Sequence, residues 1–195
     1  MAHFSTLLLT GQVRGERQRQ AFARQMEDRY GNLRRADSER PLVKLAGRLP
    51  GDNRIWYDKG GWALWMLHRF MGPERGMAAI REYMETYRDA KNPAALEDYL
   101  AIQRKHAADT TTFDAFAKQW FFEVVVPHYL IEDARLDRHG KGWRTTATVR
   151  NGGNGTMRCD VAAARGERWP DPKKNQKPWL DSRAPMTLGP GGRAT

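Results

Sequence analysis

Residues 55–72 read IWYDKGGWALWMLHRFMG, and the placement of this stretch decides the fold. From Trp56 onward it is apolar on nearly all sides: at helical spacing Gly60, Ala63, Leu64, Leu67 and Met71 share one face, while Trp62, Trp65, Met66 and Phe70 occupy much of the remainder. A segment apolar all round belongs in an interior, so the pattern predicts a central, buried helix over 56–71. Two glycines one turn after Tyr57 work against that helix, since glycine weakens a helix interior by about 1 kcal/mol relative to alanine. Their presence calls for a compensating reason, which close approach of another backbone would supply.

Working outward, Gly72-Pro73 ends this helix and starts another, proline being well suited to the first helical position. In that next helix Met77, Ile80, Tyr83, Met84 and Tyr87 are expected to face inward. Asn92-Pro93 repeats the device, with Asn92 as the cap of a helix bearing Leu96, Tyr99 and Leu100. Thr111 precedes a short amphipathic run, Phe113, Phe116, Ala117 and Trp120, with Asp114 three residues on as a capping-box partner. Upstream, residues 14–35 place Phe22, Met26, Tyr30 and Leu33 on a narrow stripe among arginines and glutamines, as in a surface helix docked by one side. Residues 38–54, SERPLVKLAGRLPGDNR, form a connection punctuated by proline and glycine.

After Pro127 the period changes. Short alternating runs separated by Gly140, Gly142 and the NGGNG of residues 151–155 predict antiparallel strands joined by tight turns. The chain therefore reads as mainly α: a helical part over 1–126, an antiparallel β segment over 127–168, and a poorly ordered tail rich in proline, glycine and lysine over 169–195. Two or three strands are marginal alone, so a partner surface or further chain is expected to complete the sheet.

Composition narrows the function. The 195 residues are 40% apolar and 10% aromatic, enough to fill a core. The longest apolar runs, such as Leu7–Leu9 and Phe121–Val126, are far short of the roughly 20 residues that span a bilayer, so no membrane span is expected. The single Cys159 allows no intrachain disulfide, and its place in a predicted strand marks a small buried side chain rather than a nucleophile. The net charge of +10 is unevenly spread: residues 1–54 carry 11 basic and 6 acidic side chains, 55–134 carry 9 and 12, and 135–195 carry 13 and 5. The best-patterned middle is thus mildly acidic, and no block of basic residues alternates with aromatics as a single-strand platform would, so no specific nucleic-acid partner is expected.

Catalytic motifs are scarce. None of the five histidines, His3, His68, His106, His128 and His139, pairs with another at the i, i+4 spacing that sets two zinc ligands on one helix face. Neither a G-x-S-x-G elbow nor a phosphate-binding G-x-x-x-x-G-K-[ST] loop occurs.

One ordered set of landmarks remains. Tyr57-Asp58-Lys59-Gly60-Gly61 opens an apolar helix, Gly72-Pro73-Glu74 breaks it, and Leu96-Glu97-Asp98-Tyr99-Leu100 and Phe113-Asp114-Ala115-Phe116-Ala117-Lys118-Gln119-Trp120 follow ahead of Pro127. In this order, over residues 1 to roughly 165, the chain resembles the part of a gluzincin zinc aminopeptidase that follows its zinc site, the family of alanyl aminopeptidase and the leukotriene hydrolase. The resemblance implies the C-terminal part of a thermolysin-like catalytic domain and hydrolysis of peptides at their N-terminus. It also implies that Tyr57 is the catalytic residue here, its phenol donating a hydrogen bond to the oxyanion that forms at the scissile carbonyl, with Gly60 and Gly61 holding the helix start near the active-site floor. A phenol of ordinary pKa about 10 is suited to that task, since it stays protonated at neutral pH.

The same resemblance limits what this chain does alone. In the family the third zinc ligand lies in E-G-[LM]-A-x-[YF], and this sequence opens Met1-Ala2-His3-Phe4. Zinc is therefore expected in the parent protein and none in this chain, with the remaining catalytic domain as partner and a peptide as substrate. Lys59 is expected to position the tyrosine turn through a salt bridge or carbonyl, Trp56 to pack or line the cleft, and His68 to be a hydrogen-bonded core histidine. Two readings from other classes stand beside this one: a non-catalytic helical interaction module of a larger membrane-associated assembly, and a basic nucleic-acid binder. Cytoplasmic placement and placement as the soluble part of a membrane-associated protein are both left open.

Overall fold

A computed structural model describes residues 1–33, 39–92, 94–126, 128–171 and 173–195. The chain divides into two compact units, Met1–Val124 and Val125–Thr195, the first helical and the second built from strands. It is mainly α with short antiparallel sheets. Among the described residues no helix is long and apolar enough to cross a membrane.

The helical unit begins with α1, Ala2–Arg14, which buries Phe4 and Leu7. Gly15, at a left-handed φ of 81°, turns the chain into α2, Glu16–Leu33. Of the stripe expected on α2, Met26 is fully buried while Leu33 is exposed, so the docked face ends a turn early. After a 3-10 turn at Leu42–Lys44, the central stretch enters as a π-helical turn, Arg54–Lys59, and continues as α3, Gly60–Met71. The regular helix expected over 56–71 is thus wider in its first turn, where the Gly60 N–H reaches back to the Ile55 carbonyl. In α3 the predicted face, Gly60, Ala63, Leu64, Leu67 and Met71, is buried. Phe70 is exposed, so α3 has one solvent-facing edge.

Gly72, at φ 81°, hands over to α4, Pro73–Tyr87, with Pro73 at its first position. Met84, expected inward, is exposed, because the buried stripe of α4 runs through Gly76 and Ala79. In α5, Leu96–Lys105, Ala95 is the cap residue, and its N–H is accepted by the Asp98 carboxylate at 2.8 Å, so Asn92 does not cap it. The start expected at Pro93, like the boundary at Pro127, lies outside the described residues. Asp109 caps α6, Thr110–Ala117, accepting from the Thr111 N–H at 2.9 Å and from the Thr112 hydroxyl. Asp114, read as a capping-box partner, instead takes a two-pronged ion pair from Arg104 at 2.7 and 2.9 Å. A second π-helical turn, Lys118–Phe122, buries Trp120 and Phe121. In this unit α1 packs on α2 and α3, and α3, α4, α5 and α6 pack each on the next.

In the second unit β1, Tyr129–His139, and β2, Gly142–Asn151, form an antiparallel hairpin around Gly140, whose φ of 57° suits the turn. A register shift lies between Glu132 and Arg135, where Asp133 has a positive φ of 51°, the mark of a bulge. The third strand, β3, Met157–Arg165, pairs along its whole length with β4, Leu180–Leu188, and the two-residue β5, Arg193–Ala194, joins β2. The expectation of a poorly ordered tail over 169–195 is corrected here, since that stretch supplies both β4 and β5. Chain composition rich in proline and lysine disfavours a strand locally, and pairing with β3 overrides it. The NGGNG turn also does more than reverse the chain. Asn151 is fully buried, with its amide donating to the Gly155 and Leu188 carbonyls at 2.6 and 3.1 Å and its side-chain oxygen accepting from the Gly153 N–H at 2.9 Å. The Tyr129 hydroxyl meets the Leu188 carbonyl as well, at 2.9 Å, so β1, β2 and β4 converge on one polar knot.

Candidate functional site

The π-helical turn Arg54–Lys59 sorts three consecutive side chains into different surroundings. Tyr57 is half exposed, while Asp58 and Lys59 are buried. A charge taken from water must find a partner, and each of these does. Asp58 accepts from Arg29 Nη2 at 2.6 Å and Nε at 3.2 Å, with Arg54 Nη1 at 3.8 Å and His3 Nδ1 at 3.4 Å. Lys59 Nζ donates to Glu39 Oε1 at 2.7 Å, and the Tyr30 hydroxyl donates to the same oxygen at 2.6 Å. The side chains of Lys59 and Glu39 are 7% and 5% exposed, so this pair is sealed in the interior. The positioning role expected of Lys59 thus has a concrete form: the residues after Tyr57 are pinned to α2 and to Glu39. Single π turns inside helices are frequent at functional sites.

Tyr57 itself is held through its main chain and its ring. Its carbonyl accepts from His3 Nδ1 at 2.9 Å, and the two rings lie 5.4 Å apart, centroid to centroid, tilted by 56°. The phenol hydroxyl has no hydrogen-bond partner among the described residues.

The two glycines play unequal parts. A Cβ at Gly61 would stand 2.8 Å from His3 Cβ, 2.8 Å from Met26 Cε and 3.6 Å from the Phe4 amide nitrogen. At Gly60 the nearest atoms, the Ile55 carbonyl oxygen and Leu42 Cδ2, are at 3.5 Å, an ordinary contact. Close approach therefore explains Gly61, which admits the first turn of α1, and does not require Gly60.

Trp56 both packs and lines a cavity. Its ring would meet a Cβ at Gly47 at 2.8 Å, and it borders a space of about 370 Å³ with Leu42, Leu64, Tyr99 and Phe121. His68 differs from its expectation. It is buried, but its Nδ1 has no hydrogen-bond partner, and the ring lies against Gly76, where a Cβ would come within 2.5 Å of Nδ1. Burial first, and then the neighbouring Arg69 charge, pull its pKa below the ordinary 6.5. Sequence spacing missed His3, Arg29 and Glu39, since none shares a local motif with Tyr57 and each arrives from a different segment.

Among the described residues no three His, Cys, Asp or Glu side chains are grouped so that they could hold a metal ion. Comparison with protein-family models, with curated proteins and with solved structures found no match.

Proposed function

We propose that this chain is part of a zinc aminopeptidase of the gluzincin type, from the C-terminal part of a thermolysin-like catalytic domain, and that it contributes the oxyanion-stabilising tyrosine, Tyr57. The zinc ligands and the general-base glutamate would come from other residues of the parent polypeptide, and this chain alone would be inactive. The single observation that carries the reading is the contrast within the π turn: Asp58 and Lys59 are anchored in buried ion pairs, while Tyr57 is half exposed and its hydroxyl has no hydrogen-bond partner among the described residues. A phenol so placed can donate its proton to an oxygen that gains negative charge, and the rigid turn beneath it means that little reorganisation accompanies the reaction. The ordered landmarks from Tyr57 to Trp120 support the same reading.

The test uses the complete parent carrying Tyr57→Phe. This change keeps the ring and deletes one donor, so kcat should fall roughly a hundred- to a thousandfold, about 2.7–4 kcal/mol of transition-state stabilisation, with KM nearly unchanged. Wild-type kcat on a small aminoacyl amide would refute the assignment.

A further inference from the structure

We propose that His3 is a second functional side chain of the Tyr57 site, an imidazole fixed with its proton on Nδ1 so that Nε2 accepts a hydrogen bond from an N–H of the bound substrate. The substrate class, an amide-bearing molecule, rests on the peptidase reading; the state of the imidazole does not.

Two acceptors fix the proton. Nδ1 lies 2.9 Å from the Tyr57 carbonyl oxygen and 3.4 Å from Asp58 Oδ1. A carbonyl can only accept, and Asp58 is already the acceptor for Arg29, so Nδ1 has to be the donor. A neutral imidazole carries one N–H, and fixing it on one nitrogen leaves a lone pair on the other. An imidazole free in water favours the opposite arrangement, with the proton on Nε2, so this state is one the fold imposes.

The ring is also held in place. Phe22 stands edge-on to it at 5.5 Å and 86°, Tyr57 flanks it, and Gly61 presents no side chain to its Cβ. The His3 side chain keeps 22% of its surface exposed, and Nε2 has no hydrogen-bond partner among the described residues without being sealed from solvent. Two adjacent rings therefore each offer one unused polar atom: a donor on the Tyr57 phenol and an acceptor on His3. A group with a carbonyl oxygen and a nearby N–H complements that pair, and the amide of an aminoacyl compound has both. His3 would thus bind and orient the substrate while Tyr57 donates to its oxygen.

The experiment uses the 195-residue chain labelled with 15N, with leucine amide as the probe. Long-range 1H–15N correlations recorded above the ordinary imidazole titration range should show His3 protonated at Nδ1 with an unprotonated Nε2. Leucine amide should then move the His3 Nε2 and Tyr57 ring resonances together and saturably, leaving His106 and His139 in place. The variant His3→Asn puts an amide N–H near the position of Nδ1 and removes the outward acceptor. It should keep the melting transition and weaken leucine amide binding roughly tenfold, the scale of one hydrogen bond, whereas His3→Ala should lower both. An Nε2–H tautomer, an Nε2 resonance indifferent to the amide, or unchanged binding by His3→Asn would overturn the proposal. These outcomes are separable from the fate of the peptidase reading: a parent with Tyr57→Phe and wild-type kcat would refute the peptidase and leave the His3 tautomer standing.

Discussion

Gly60 and Gly61 are neighbours with the same helical surroundings, and replacing each by alanine gives two variants that differ in little but what the new methyl meets. Both gain helix propensity, about 1 kcal/mol per glycine removed. At position 60 the methyl finds only ordinary contacts at 3.5 Å, so Gly60→Ala should be neutral or stabilising by up to about 1 kcal/mol. At position 61 it would lie 2.8 Å from Met26 Cε and 2.8 Å from His3 Cβ. The methionine end can swing aside, but His3 Cβ is one bond from the α1 backbone, so relief requires α1 to move off α3. Overpacking of that kind costs roughly 1–3 kcal/mol. Subtracting the shared propensity gain leaves Gly61→Ala between neutral and about 2 kcal/mol destabilising, and the gap between the two variants at roughly 1–3 kcal/mol. Urea unfolding followed in the far-UV helical signal measures both, and the gap corresponds to about 2–12 °C in melting temperature for a chain of this size. Gly61→Ala equal to or more stable than Gly60→Ala would refute the close approach of α1 at this point.

Further expectations follow from the buried charges and polar groups. Lys59→Met removes the ammonium that donates to the buried Glu39 carboxylate at 2.7 Å and should destabilise by about 1.5–3 kcal/mol, the scale of a hydrogen bond to a charged group, while the pair Lys59→Met with Glu39→Leu should recover part of the loss in the same assay. His68 has a folded-state pKa below 6.5, so the unfolded chain binds its proton first; its contribution is intact above pH 6.5 and is lost as pH falls through the folded pKa, and His68→Leu should flatten that part of the curve of melting temperature against pH. Asn151→Ala strips the Gly155 carbonyl of its side-chain donor and leaves the Leu188 carbonyl with the Tyr129 hydroxyl, so it should cost the β unit about 1–3 kcal/mol for the one acceptor left unsatisfied, measured by urea unfolding with tryptophan fluorescence.

Much of the helical unit was legible because its information is periodic. The buried face of α3 and the break at Gly72-Pro73 depend on spacing and on backbone chemistry that travel with the local chain. Capping was less legible, since Asp109 and Asp98 competed with Asn92, Thr111 and Asp114 for roles that several residue types can fill; geometry alone separates them. The tail over 169–195 was misread because strand pairing is a long-range event, and Leu180–Leu188 gains its ladder from β3, whose first residue lies more than twenty positions upstream.

The sequence by itself determined the run of helices from α2 to α6, the change to strands in the second unit, the all-round apolar helix after Tyr57, and the singling out of Tyr57 as the residue on which a functional reading turns. Only the tertiary structure decided that the turn carrying it is π-helical, that Gly61 rather than Gly60 makes room for α1, and that Asp58 and Lys59 are buried against Arg29 and Glu39. The reason is physical: helix period and turn chemistry act between residues a few positions apart. The groups that fix the Tyr57 turn, by contrast, come from 20 to 54 positions away, and folding alone brings them within hydrogen-bond reach.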